Sequence, residues 1–389
     1  MFKILTLNKI AECGINELPT AQFTVSSDEK NPDGILVRSQ VIPQEELNNE
    51  LKGIARAGAG VNNIPVDYCT QKGIVVFNAP GANANAVKEL VLTGLLLASR
   101  NIVGGISWVQ GLAGQTGVAQ SVEKGKSQFI GPEIAGKTLG VIGLGATGVL
   151  AANAGLALGM KVIAYAPSVK VDAAWSLSPE VRRASDLDTF FAECDYISLH
   201  IPARAENKGM FNSEVFAKCK KGLRLINISR AELVDNTAVK QAIADGIVAC
   251  YVTDFPNEEM LGNEKIIPIP HLGASTPEAE DNCAIMAAAQ LRDYLLYGNI
   301  KNSVNFPNCE MTYTGKKRVC VIHQDKTEVV SAITALFTER SVNVTNMISK
   351  TGNNIAYTML DVSDNTADAL SGIEGALLKL DNIINVRVI

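Results

Sequence analysis

The stretch from 139 to 165 constrains the fold more than any other part of the chain. It reads as a buried strand, LGVIG, a turn, GLGATG, a helix rich in Ala and Leu, and a second strand, KVIAY. Gly143, Gly145 and Gly148 stand as GxGxxG directly after the strand and at the helix start. The first glycine suits a tight turn. The second lets a ligand approach the backbone, and the third lets helix and strand pack closely. A pyrophosphate fits the helix N-terminus, where free N–H groups point outward. The turn therefore predicts dinucleotide binding, with Ala146 and Thr147 completing the cofactor contacts.

Further strands follow at YISLH (196–200), LRLINIS (223–229), IVACYVTDF (247–255) and IIPIP (266–270), mostly separated by helical segments. They are continuous apolar runs, as expected of a parallel sheet covered on both faces by helices. Before 80, the runs FKILTL, DGILVRS, GIARAG and IVVFNAP have the spacing of βα units in a smaller parallel sheet. Residues 84–110 lack proline and repeat apolar residues at helical spacing, which predicts a long helix connecting two domains. A helix over about 277–297 ends at Gly298, a C-cap. Residues 299–317 are polar and turn-rich and read as a linker. Beyond them the pattern is strand, helix (328–339), strand, strand, helix (366–379), strand, a ferredoxin-like βαββαβ module over 318–389.

A chain of 389 residues predicts two or three domains. With 47% hydrophobic and 19% charged residues it can bury a large core. The net charge is −5, and no dense basic cluster interleaves with aromatics, so no nucleic-acid partner is expected. The N-terminus reads as a strand and lacks the apolar core of a secretion signal. The run LVLTGLLLAS is too short to span a bilayer. These features predict a cytoplasmic protein with no membrane partner. The eight cysteines form no CxxC pair and only three histidines are present. No metal site is expected, and the thiols read as small buried apolar groups.

The second strand of a dinucleotide fold normally ends in an acidic residue that accepts hydrogen bonds from the adenosine ribose. Here the position holds Ala166, between Tyr165 and Pro167. Losing a charge-assisted hydrogen bond costs roughly 1.5–3 kcal/mol. Pyrophosphate contacts remain, so binding is weakened, not abolished. The change also removes the repulsion that excludes a 2′-phosphate, which Ser168 and Lys170 could meet. NAD is the expected cofactor, with NADP open. Asp172 is an alternative ribose acceptor.

Ligands in open α/β sheets lie at the carboxyl ends of strands. Such ends deliver Arg230, Asp254 with Glu258 just beyond, and His271. The set suits hydride transfer at a 2-hydroxy acid. Histidine takes the hydroxyl proton near neutral pH. A carboxylate orients the ring, and an arginine fork holds the substrate carboxylate and polarises the developing carbonyl. His200, closing YISLH, is a rival base or a neighbour of the cofactor. Glu258 stands beside Glu259 in a loop, so either could be solvated surface.

Together VIGLGATG, LHIP, INISRAELVD and IPHLGAST resemble the D-2-hydroxyacid dehydrogenase family, in its short three-module branch acting on phosphoglycerate. RAGAGVNNI (56–64) and FNAPGANANAVKEL (77–90) match that family's substrate-domain loops. The resemblance implies an α/β fold. A doubly wound parallel-sheet (Rossmann) cofactor domain, 99–291, is inserted in a flavodoxin-like substrate domain, 1–98 and 292–310, and the C-terminal module is ACT-like. It implies oxidation of 3-phosphoglycerate to 3-phosphohydroxypyruvate, opening serine synthesis. It places Arg230, Glu258 and His271 at the catalytic positions. Cofactor contacts extend to His200, Pro202, Ser229, Arg230, Asp254, His271 and Gly273. The backbone of Gly58, Ala59, Gly60 and Val61 would cradle the substrate carboxylate, beside Arg230 and His271. Arg56, with Arg38, would meet the phosphate, and Lys126 is a further candidate. A homodimer or homotetramer paired through the cofactor domain is implied. The module's first strand–helix turn, HQDKTE (323–328), lacks the usual Pro-Gly, which points to an oligomerisation or degenerate regulatory role. Two other functions stay open: reduction of hydroxypyruvate, glyoxylate or another 2-oxo acid, and a non-catalytic dinucleotide-dependent regulator.

Overall fold

A computed structural model describes residues 1–363 and 370–389, in two compact units. The first comprises 1–82 and 280–389, the second 83–279.

The second unit is built on a seven-stranded, all-parallel sheet. Its strands are β6 (Thr138–Ile142), β7 (Lys161–Tyr165), β8 (Arg182–Arg183), β9 (Tyr196–Leu199), β10 (Leu223–Asn227), β11 (Val248–Thr253) and β12 (Ile266–Pro268), in the order β12-β11-β10-β9-β6-β7-β8. The chain runs outward from β6 to β8, then returns to β9 on the other side of β6. That reversal opens a crevice at the carboxyl ends of β6 and β9, where ligands bind in such sheets.

The first unit holds a five-stranded parallel sheet, ordered β2-β1-β3-β4-β5: β1 (Phe2–Leu7), β2 (Phe23–Ser26), β3 (Gly34–Val37), β4 (Gly53–Arg56) and β5 (Val75–Phe77). It also holds the C-terminal module. There β13 (Arg318–Gln324), β14 (Val344–Gly352), β15 (Ile355–Val362) and β16 (Ile383–Val388) form an antiparallel sheet, β14-β15-β13-β16. Helices Val329–Glu339 and Ile373–Leu377 complete the expected βαββαβ order. The start of the helix expected over 366–379 lies outside the described residues.

The division of the chain differs from the expected boundaries. Helix Ala84–Ser99 drives Val91, Leu95 and Ala98 into the core of the seven-stranded sheet. Helix Pro277–Tyr297 places Ala287, Ala288, Leu291 and Leu295 in the core of the five-stranded sheet. Apolar burial therefore sets the breaks at 82/83 and 279/280. The long helix over 84–110 is in fact two, Ala84–Ser99 and Ile102–Gln110, bent by 72°. Arg100 is extended, and the Asn101 side chain caps the second helix by accepting from Gly104 N at 3.1 Å. Among the described residues no single helix is long and apolar enough to cross a membrane.

Residues 299–317 are not a loose linker. Ile300, Phe306 and Cys309 are buried in the same core as Phe77 and Tyr357. Asn305 is buried too; its Oδ1 accepts from Val76 N at 2.9 Å and its Nδ2 donates to Ile74 O at 2.9 Å. The segment thus continues the hydrogen bonding of β5. Gly298 closes the preceding helix in the left-handed conformation, φ +74°.

Candidate active site

The glycine turn sits at the carboxyl end of β6. Gly143 has φ +96°, and a Cβ there would lie 2.6 Å from the His200 carbonyl oxygen. At Gly148 a Cβ would lie 1.9 Å from the Gly143 oxygen, so no other residue fits. Gly145 differs: a Cβ would meet nothing within 4 Å. Its smallness serves no contact within the protein. Helix Ala146–Ala157 begins here with no side-chain cap, so the N–H groups of its first turn, at Ala146, Thr147 and Gly148, are left to a ligand. Open space and uncapped donors fit a pyrophosphate. The fingerprint fits the group it was expected to hold.

Beside the turn, at the end of β7, lies a cavity of about 510 Å³ lined by Leu144, Ala166, Pro167, Ser168, Arg182 and Arg183 among others. The volume suits a nucleoside. Lys170 and Asp172 do not line it. Lys170 is the N-cap of helix Val171–Ser176, which contains Asp172.

His200 packs behind the glycine turn, its Cβ 3.3 Å from the position a Gly148 side chain would take. Its Nε2 bonds Ser198 Oγ at 2.9 Å. Burial pushes the imidazole down to about 4, so it is neutral at physiological pH. A half-buried neutral ring behind the turn suits a neighbour of the cofactor and not the base.

Strands β10, β11 and β12 are adjacent and parallel, so their carboxyl ends share one edge. These ends carry Arg230, Asp254 and His271. The turn after β10 is clasped by Asn227, which is fully buried. Its Nδ2 donates to Arg230 O at 2.8 Å, and its Oδ1 accepts from Ser229 N and Arg230 N at 3.2 and 3.3 Å. Ser229 Oγ donates to Ile201 O at 2.7 Å, tying this turn to the IPA segment that contains Pro202. The sequence reading missed Asn227; its only signal was a polar residue closing an apolar strand.

Asp254 is buried at the end of β11. Its Oδ2 accepts from Gly273 N at 3.3 Å, while Oδ1 has no partner. Burial raises the carboxyl above its ordinary range, opposed by the charges of His271 and Arg230 and by the Gly273 N–H. The His271 ring lies exposed against Phe255, centroids 4.7 Å apart at 55°. The expected partner, Glu258, is exposed and makes no hydrogen bond with His271, and Glu259 pairs with Lys240 at 3.3 Å. The charge of His271 acts on Asp254, opposing the effect of burial on its carboxyl. The loop that carries Glu258 turns it toward solvent.

In the first unit, the loop after β4 carries Gly58, Ala59, Gly60 and Val61. Gly58 O accepts from Ala79 N at 2.9 Å and Ala59 O from Asn78 Nδ2 at 2.6 Å. The N–H groups of Ala59, Gly60 and Val61 make no hydrogen bond among the described residues. Consecutive free N–H groups form an anion-binding concavity. Arg56 Nε donates to Arg38 O at 3.0 Å, which aims the guanidinium over Gly58. Arg38 is already paired with Glu280, and Lys126 with Glu123.

Residues 92–276 match the family described as D-isomer specific 2-hydroxyacid dehydrogenase, NAD binding domain. The chain is 35% identical over 329 residues to a D-3-phosphoglycerate dehydrogenase of Synechocystis sp., covering 79% of this chain and 56% of that one. The chain belongs to the D-2-hydroxyacid dehydrogenase family. A D-3-phosphoglycerate dehydrogenase of Archaeoglobus fulgidus is 34% identical over 291 residues, covering 72% of this chain and 52% of its own length. The chain spans about half the length of the curated relatives it matches. Among solved structures, NAD+-bound 3-phosphoglycerate dehydrogenase of Entamoeba histolytica aligns with a TM-score of 0.61 at 26% identity, covering 78% of this chain and 98% of that one.

Proposed function

We propose that this chain is a dinucleotide-dependent D-2-hydroxyacid dehydrogenase that oxidises 3-phosphoglycerate to 3-phosphohydroxypyruvate in serine synthesis. The observation that carries the reading is the shared edge of β10, β11 and β12. It supplies an arginine, a buried carboxylate with one unpaired oxygen, and a histidine, beside a glycine turn with uncapped donors.

The dinucleotide, when bound, supplies the hydride acceptor. His271 takes the proton from the substrate's 2-hydroxyl oxygen. Asp254 stabilises the imidazolium that results, and Glu258 is a second carboxylate at the family's acid position. Arg230 holds the substrate carboxylate and polarises the carbonyl as it forms. We assign Gly58, Ala59, Gly60 and Val61 to the substrate carboxylate through their backbone, and Arg56 to the phosphate. Pro202, Ser229 and Gly273 are assigned to the cofactor's surroundings. NAD is favoured by the family described, and Ala166 keeps NADP open.

The test is formation of reduced nicotinamide at its absorbance band with 3-phosphoglycerate and NAD or NADP. Turnover with 3-phosphoglycerate supports the proposal. Turnover only in reverse, with glyoxylate or hydroxypyruvate and no response to phosphorylated acids, favours the reductase. Dinucleotide binding without turnover of any acid favours a regulator.

We also propose a homodimer. Ile102, Val103, Ile106 and Val109 are exposed on one helix, beside a cavity of about 410 Å³ lined by Trp108, Val122 and Phe129. A contiguous apolar face of this kind marks an interaction surface. Sedimentation should give twice the chain mass for the wild type and a smaller species for Val109→Asp. Unchanged sedimentation would move the interface elsewhere.

A further inference from the structure

We propose that Arg183 receives the 2′-phosphate of NADP, giving this chain use of NADP beside NAD. The inference rests on the dinucleotide reading above and adds the residue that sets cofactor choice.

Three observations converge on it. First, the cavity at the end of β7 has no Asp or Glu in its lining. Its contributors are apolar or hydroxyl-bearing, apart from Arg182 and Arg183. An adenosine ribose there meets Ala166 and Ser168 where an acid would have taken its hydroxyls and repelled a phosphate. Second, the two arginines are not equivalent. Arg182 is paired with Glu193, which neutralises it. The Arg183 side chain has no ion pair or hydrogen bond among the described residues, and it is exposed. Third, β8 pairs in parallel with β7, with Arg183 opposite Ala164. Ala166 lies two residues further along the same direction, about 6–7 Å. A long side chain starting at 183 covers that rise to the ribose position. Lys170 is not in the lining.

A ribose phosphate carries a charge approaching −2 near neutral pH, and an arginine fork binds such a group bidentately. A charge-assisted contact of this kind corresponds to about a tenfold to hundredfold gain in affinity. NAD has a hydroxyl at that position and gains nothing comparable.

The test is calorimetric titration of the full-length protein with NADP, NAD, adenosine 2′,5′-bisphosphate and AMP, for wild type, Arg183→Gln and Ala166→Asp. Arg183 is exposed, so the glutamine variant should keep the wild-type fold, checked by circular dichroism. The expected result is that Arg183→Gln weakens NADP and the bisphosphate tenfold or more, with NAD and AMP changed less than twofold. Ala166→Asp should likewise disfavour NADP while strengthening NAD. Wild-type affinity for NADP should fall with salt more steeply than for NAD. Equal losses for NAD and NADP in Arg183→Gln, or a wild type that binds NAD tenfold tighter than NADP, would overturn the assignment and leave the dinucleotide reading intact. Failure of every nucleotide to bind would overturn both.

Discussion

Two regions of the chain bury polar side chains, and they treat them in opposite ways. Where the C-terminal module meets helix Pro277–Tyr297, every buried side-chain donor among the described residues is used. Arg318 is 0% exposed. Its Nε and Nη2 donate to Asp361 at 2.6 and 3.1 Å, its Nη1 to Tyr297 O and Met311 O, and Nη2 also to Thr312 O. All five donors of the guanidinium are thereby satisfied. Arg387 Nη2 donates to Leu295 O at 2.9 Å and its guanidinium stacks on Tyr294 at 4.5 Å. Tyr357 Oη donates to Gly298 O at 2.7 Å. Three side chains of the module thus close the carbonyl end of one helix, where cations are also favoured by the helix dipole. At the carboxyl edge of the seven-stranded sheet, Asp254 is equally buried yet one oxygen is unpaired, and a helix starts without a cap. Saturated polar groups make a joint. Unsaturated ones mark where a ligand's polar groups complete the set.

The comparison can be broken at the joint first. Arg318→Met leaves Asp361 buried without its cation, a loss of about 3–5 kcal/mol. Adding Asp361→Leu should restore part of it, because the uncompensated charge is gone while the helix carbonyls still lack their donor. Urea unfolding of the three proteins measures this. A loss below about 1 kcal/mol for Arg318→Met would mean the module is tethered and not fused.

A smaller effect sharpens the contrast at the seven-stranded sheet. His200 has a folded value lowered to about 4 against 6.5 unfolded. Between those values the unfolded chain binds the proton and the folded chain does not. Its contribution is therefore fully present above pH 6.5 and is lost as pH falls toward 4. From pH 7.5 to 4.5 the loss should be about 2 kcal/mol. His200→Gln should flatten the wild-type pH slope by that amount in urea unfolding. Parallel slopes for the two proteins would place His200 in contact with solvent.

Much of this was legible in the sequence, because backbone geometry and continuous burial write strong patterns. The glycine turn is dictated by sterics at Gly143 and Gly148, and VIGLGATG declares it. Strands such as YISLH and LRLINIS are apolar throughout because helices cover both faces. What escaped depends on distant partners. The strand Arg182–Arg183 is two exposed charged residues, and only its pairing with β7 reveals it. Residues 299–317 look polar, but Asn305 is satisfied by Val76 and Ile74, more than two hundred residues earlier. The bend at Arg100–Asn101 turns on one side-chain cap. Glu258 was chosen as the histidine's partner by motif position; the structure adds Asp254, buried with one unpaired oxygen, as a second carboxylate that interacts with the ring.

His271 performs the proton transfer at an edge already shaped for the dinucleotide. Steady-state turnover of His271→Ala with 3-phosphoglycerate, alongside its dinucleotide affinity by calorimetry, tests this most directly. Turnover should fall roughly 10²–10⁴-fold, with affinity changed less than about twofold. Turnover close to that of the unsubstituted protein would contradict it.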